Sequence, residues 1–186
     1  PSKPLSVPKL RKVFDDTQKP SSNSQNLSVA HRSDPLTLEV WMPSKEIPSR
    51  SSWIVFMPGW GSDPDHFRWL ARSLSVNGWS VVLLEHPGSD AKAVQELLDG
   101  RRLAPGAEVL PDRLADLASV LNAKENGALA VPGEKVVLMG HSLGALTAFL
   151  ASGARPEPGL GGRCGNALDA LSLTNLSQFL QCQLDD

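Results

Sequence analysis

The sequence predicts an α/β fold, a three-layer α/β/α arrangement with a mostly parallel sheet. Three observations predict it. Three apolar runs, at residues 53–57, 81–84 and 136–139, are continuous rather than alternating, as expected of strands covered on both faces. Stretches with helically spaced apolar residues separate and follow them, giving the order strand, helix, strand, helix, strand, helix. Each run ends in a turn-rich loop, at residues 59–62, 86–89 and 141–143. In open sheets of this kind, ligands sit beyond the carboxyl ends of the strands.

The elements follow in order. Residues 1–34 read as a flexible tail, interrupted by Pro1, Pro4, Pro8 and Pro20 and polar over 21–26. Such composition buries too little apolar surface to offset ordering entropy. His31 falls in this tail. Residues 36–42 alternate apolar and polar, which predicts a half-exposed strand. The run 53–57 is a buried strand. Asp63, Pro64 and Asp65 open a helix with Phe67, Leu70, Ala71 and Leu74 on its apolar face, and Asn77-Gly78 ends it. Residues 81–84 form a second buried strand, and 91–98 a short helix. Pro111 is expected as the first residue of a helix carrying Leu114, Leu117, Ala118 and Leu121 on its apolar face, with Asn126-Gly127 as the stop. The third buried strand, 136–139, leads into an apolar helix over 145–151.

The bulk properties exclude several classes. A chain of 186 residues suits one domain. A net charge of −2 argues against nucleic acid as a partner, since that needs a basic patch. No apolar stretch approaches the ~20 residues of a transmembrane helix. The chain opens at Pro1, so cytoplasmic residence and export after leader removal both stay open. The four histidines, His31, His66, His86 and His141, form no metal-binding pattern. Cys164 and Cys182 read equally as two thiols or as one disulfide.

One motif carries chemistry. Gly140-His141-Ser142-Leu143-Gly144 lies between a strand-like run and a helix-like run, the setting of a nucleophile elbow. There the serine is held in a strained turn with its Oγ presented to the site, and Gly140 and Gly144 permit the tight packing. Ser142 is the candidate nucleophile. An acyl-transfer site also needs preset donors for the developing oxyanion. The Leu143 N–H is one candidate. Trp60, in the loop Pro58-Gly59-Trp60-Gly61-Ser62, supplies the other, and Gly59 and Gly61 let that loop approach the substrate. A phosphate loop is excluded because Gly-Lys-Ser/Thr is absent, and a dinucleotide fingerprint because Pro64 stands where its third glycine belongs.

These motifs, with Glu85-His86-Pro87-Gly88-Ser89 and residues 113–121, resemble the N-terminal half of an α/β-hydrolase. More narrowly, they are similar to the dienelactone hydrolase-like and platelet-activating-factor acetylhydrolase-like branch. The resemblance covers residues 36–152 and, more loosely, 163–184. It divides the chain into the tail 1–34, a hydrolase half at 35–152 and a lid-like helical segment at 153–186. It implies a serine hydrolase of small-molecule carboxylic esters or lactones, without metal or organic cofactor.

The departure from that pattern is large. In that family the acid and histidine follow the serine, and no histidine follows Ser142 here. The later carboxylates, Glu157, Asp169, Asp185 and Asp186, follow no strand-like run. His141 sits inside the elbow and is expected to pack beside the serine. His86 lies at the correct end of the sheet, but the resemblance assigns it to a structural loop. Both are retained as pocket candidates. A serine without a base is a poor nucleophile at neutral pH. The expectation is therefore an incomplete hydrolase, inactive as this chain, whose base and acid lie in missing sequence or a partner. Its last strand would be an exposed edge that invites self-association. The alternative is a non-catalytic relative that keeps the sheet and binds or scaffolds.

Overall fold

The computed structural model describes residues 19–102 and 108–155. The expected lid-like segment beyond Arg155, with Cys164 and Cys182, lies outside the described residues. Five strands form one sheet: β1 (Ser21–Leu27), β2 (Leu36–Met42), β3 (Ser52–Met57), β4 (Ser80–Leu84) and β5 (Lys135–Gly140). Their spatial order is β1-β2-β4-β3-β5. A 3₁₀ turn at Pro64–Phe67 leads into α1 (Arg68–Ser75), followed by α2 (Ala91–Leu98), α3 (Val109–Glu125) and α4 (Leu143–Ala151).

The apolar runs became the parallel part of the sheet. β3 pairs in parallel with both β4 and β5, placing the loops after all three strands at one end. β2 pairs antiparallel with β4, and β1 antiparallel with β2. The sheet is thus parallel in one half only, which narrows the expectation of a mostly parallel sheet. The segment joining β1 to β2 is too short for a parallel crossover and dictates the antiparallel pairing.

Two apolar layers sandwich the sheet. On one face Leu36, Leu38, Val40, Trp53, Val55, Met57, Val82 and Leu84 pack on Leu117, Val120 and Ala123 of α3. On the other face Trp41, Ile54, Phe56, Val81 and Leu83 pack on Ala71 of α1, with Phe67, Leu70 and Leu74 around it. The helix face expected from the sequence is the one that packs.

Four expectations need correction. The tail does not extend to residue 34, because β1 and the turn after it are part of the fold. β1 is a polar edge strand, held by its ladder to β2 and by the Gln25 side-chain N–H donating to Ala128 O at 3.0 Å. β2 is not half-exposed. Its polar Glu39 is buried, because Arg68 and the Trp41 indole N–H both donate to its carboxylate. The strand before Ser142 is not covered like the other two parallel strands. β3 is its only partner among the described residues, and Val136 is 40% exposed. Finally, α3 begins before Pro111 and buries Arg113 and Asp116 beside Leu117 and Val120, leaving Ala118 exposed.

Candidate active site

The turn from β5 into α4 is built by four close contacts. The His141 N–H donates to Met57 O at 3.1 Å, and the Gly144 N–H to His141 O at 2.9 Å. A Cβ on Gly140 would lie 2.3 Å from the Gly144 carbonyl carbon, and one on Gly144 only 1.9 Å from Met57 O. Any side chain at either position would push α4 off the sheet. The residue at the tip takes up the strain. Ser142 has φ 52° and ψ −120° and is the one non-glycine residue with positive φ among the described residues. Such a conformation costs of order 1–3 kcal/mol and persists only where the surroundings enforce it. Ser142 is exposed.

The glycine loop after β3 abuts this turn. A Cβ on Gly59 would lie 3.1 Å from Ser142 Cβ and 3.1 Å from His141 Nδ1. Gly61 has φ 70°, and its N–H donates to Ser89 O at 2.8 Å, tying the loop to the one after β4. Trp60 packs against the buried cluster of Val109, Leu110 and Leu143. Its indole Nε1 is buried with no hydrogen-bond partner among the described residues. Leu143 is the first residue of α4, so its N–H is one of those an α-helix leaves without an internal acceptor. The structure thus gathers Ser142, Gly59, Trp60, Gly61, Gly140, Leu143 and Gly144 at one end of the sheet. The helix N-terminus adds partial positive charge there. An exposed hydroxyl beside free N–H groups can add to an acyl carbon once a base takes its proton.

The histidines divide differently. His141 is exposed, with its ring 5.7 Å from that of Phe67. His66 is exposed at the 3₁₀ turn, and its Nδ1 accepts the Asp63 N–H at 3.1 Å. His86 is 2% exposed and is no open pocket residue, which corrects that expectation. Its Nδ1–H donates to Asp116 Oδ2 at 2.8 Å, and its buried Nε2 has no partner among the described residues. Burial lowers its pKa to about 4, outweighing the opposing pull of Asp116, so the ring is neutral at pH 7.

Asp116, fully buried, lies in the 113–121 stretch that carries the resemblance, where the sequence assigns it no role. Arg32 donates to its two oxygens at 2.6 and 2.7 Å, and His31 Nε2 to Oδ1 at 2.7 Å. Burial alone would raise its pKa. The bonds from His86 and Arg32 overcome that and hold it at about 2. Arg113, 1% exposed, opens the same stretch and is likewise assigned no role. It donates from Nη2 to Pro58 O at 2.6 Å, from Nη1 to Ser89 Oγ at 2.6 Å, and from Nε to Thr147 Oγ1 at 3.0 Å. One signal was available. Arg113 and Asp116 are three apart and share a helix face with Leu117 and Val120, where solvated charges do not belong.

A cavity of about 590 Å³ lies elsewhere, between the β1/β2 end of the sheet and the 3₁₀ turn, lined by Thr37, Glu39, Asp63, Asp65 and Glu85 among others. Burial raises the Glu85 pKa, and Asp90, Asp63 and Asp65 add to the rise against a hydrogen bond with Thr37. No residue of the Ser142 turn lines this cavity.

Among the described residues no group of three or more His, Cys, Asp or Glu side chains is placed to hold a metal ion. No described helix is long and apolar enough to cross a membrane.

No family model and no curated protein matches the chain. Solved structures do. The ferulic acid esterase of Streptomyces cinnamoneus aligns with a TM-score of 0.57 and 19% identity, over 79% of this chain and 57% of that one. The dienelactone hydrolase of Anabaena variabilis aligns with a TM-score of 0.52 and 20% identity, over 74% and 59%. A dienelactone hydrolase-like promiscuous phosphotriesterase from metagenomic libraries aligns with a TM-score of 0.53 and 16% identity, over 90% and 79%. The chain spans less than two thirds of the first two relatives. With its five-strand sheet and helices on both faces, the chain shares the α/β-hydrolase fold of these solved structures, and at 16–20% identity the likeness shows the fold alone.

Proposed function

We propose that this chain carries the nucleophile and the oxyanion donors of a serine hydrolase acting on small carboxylic esters or lactones. Ser142 Oγ adds to the acyl carbon. The N–H groups of Trp60 and Leu143 hold the oxygen that becomes negative. Collapse of the intermediate frees the alcohol oxygen, which takes up the proton lost by the Ser142 hydroxyl, and water then cleaves the acyl–serine bond, releasing the acid and restoring the hydroxyl. The observation that carries the reading is the φ of 52° at Ser142, enforced by two glycines that admit no side chain. The esterase neighbours support the substrate class.

The base is not among the residues gathered at the turn. No histidine follows Ser142, and the recorded hydrogen bond of His86 goes to Asp116. The 186-residue chain alone therefore forms the covalent adduct slowly and hydrolyses esters no faster than its Ser142→Ala variant. Donors and binding without a complete triad still give about 10³–10⁴ over water. A fluorophosphonate probe, read by peptide mass spectrometry, tests this. The expected result is slow modification confined to Ser142 and lost in Ser142→Ala, without steady-state ester hydrolysis above that variant. A folded chain whose Ser142 reacts no faster than its other serines contradicts the reading and favours the non-catalytic alternative. Rapid turnover contradicts the claim about the base.

Self-association is proposed at the free edge of β5, on the exposed Val136 and the absence of a second partner strand among the described residues. Light scattering tests it. Val136→Lys should lower the molar mass of any assembly, and a strictly monomeric wild type contradicts it.

A further inference from the structure

We propose that Arg113 is a positioning residue that sets the spacing between the two oxyanion donors, an inference that rests on the acyl-transfer reading above. Its three hydrogen bonds end on three separate segments. Pro58 O belongs to the loop that continues to Trp60. Ser89 Oγ belongs to the loop after β4, whose backbone holds Gly61. Thr147 Oγ1 lies one turn into α4 and itself donates to Leu143 O at 2.9 Å. One planar guanidinium from α3 thus fixes the loop that carries one donor against the helix that carries the other.

The chemistry of the tie is not what stability requires. All three acceptors are neutral oxygens. Burial lowers the Arg113 pKa only to about 10, against the pull of Asp116, so a full charge is buried there at pH 7. Well-packed apolar residues in such places are often neutral or stabilising. An apolar side chain could glue α3 to α4, but only a rigid fork of donors dictates where Pro58 O, Ser89 Oγ and Thr147 Oγ1 lie relative to one another. Oxyanion donors act within a narrow distance range, so a small displacement is expensive in rate.

The test uses the full chain with Arg113→Met and Arg113→Lys, each checked for folding by circular dichroism and thermal melting. The labelling rate of Ser142 by the fluorophosphonate should fall about 100-fold in both. The melting temperature of Arg113→Met should fall, because Pro58 O, Ser89 Oγ and Thr147 Oγ1 lose their donor, with the variant still folded. In ¹H–¹⁵N spectra the backbone amides of Trp60 and Leu143 should shift in both variants, while those of β2 and α1 stay in place. Added guanidinium should partly restore labelling in Arg113→Ala. Labelling at the wild-type rate in folded Arg113→Met, or unmoved Trp60 and Leu143 amides, overturns the proposal. A wild-type Ser142 that never labels overturns the acyl-transfer reading instead, and the amide shifts then still decide whether Arg113 positions the two donors.

Discussion

The sheet has two unlike halves, divided at β3. On the β4 side every strand residue of β4 is buried, and α1 and α3 close the two faces. On the β5 side the strand is half-exposed, and α4 leaves Phe149 66% exposed. The candidate nucleophile sits on the thinly covered side. Its geometry is enforced locally, by glycine contacts, while the larger apolar clusters lie on the other half.

The largest expected effect breaks the well-covered half. Asp116→Ala leaves Arg32 without its buried counter-ion and His31 and His86 without their acceptor. Removing one partner of a buried ion pair typically costs about 3–5 kcal/mol. Urea denaturation should show that loss as a lower midpoint for the whole molecule. A loss below about 1 kcal/mol would mean that solvent takes over the role of Asp116.

Gly144→Ala attacks the other half. With 1.9 Å between the new Cβ and Met57 O, α4 must move. We expect a cost of about 3 kcal/mol, near the upper end of overpacking effects. Hydrogen exchange should place the damage at α4 and β5, with β2 and β4 amides still the slowest. Uniform acceleration would show that the two halves unfold as one unit.

Acid should act through the well-covered half. His86 has a folded pKa of about 4, below its ordinary 6.5. Between those values the unfolded chain binds a proton that the folded chain refuses. Stability is therefore full above pH 6.5 and falls as the pH drops toward 4, by at most about 3 kcal/mol. Asp116 adds a further loss below its ordinary 3.8, down to about 2. In His86→Gln the loss between pH 6.5 and 4 should shrink. An unchanged slope would assign it to other groups.

The smallest effect sharpens the contrast. Ser142→Gly should stabilise the protein by about 1 kcal/mol, because glycine accepts the backbone conformation that serine resists. A destabilised variant would mean that the turn is not strained.

Legibility in the sequence followed the same division. The apolar runs gave β3 and β4 almost to their ends, and 91–98 gave α2, because burial on both faces leaves a continuous signal. The Ser142 turn was legible because only glycine fits at its tightest contacts. β1 was not, because an edge strand of Ser, Asn and Gln draws its stability from a backbone ladder that composition does not reveal. Arg113 and Asp116 were missed for a related reason. Their partners come from four other segments, and charge on a helix ordinarily signals solvent. The identical apolar character of residues 136–139 and 81–84 concealed that one strand has a single described neighbour and the other has two.

A crystal structure of the chain after fluorophosphonate treatment tests the central claim most directly. The account predicts phosphorus bonded to Ser142 Oγ, with the phosphoryl oxygen about 2.7–3.1 Å from the backbone nitrogens of both Trp60 and Leu143. An adduct whose oxygen faces solvent, or a folded chain modified anywhere but Ser142, would contradict it.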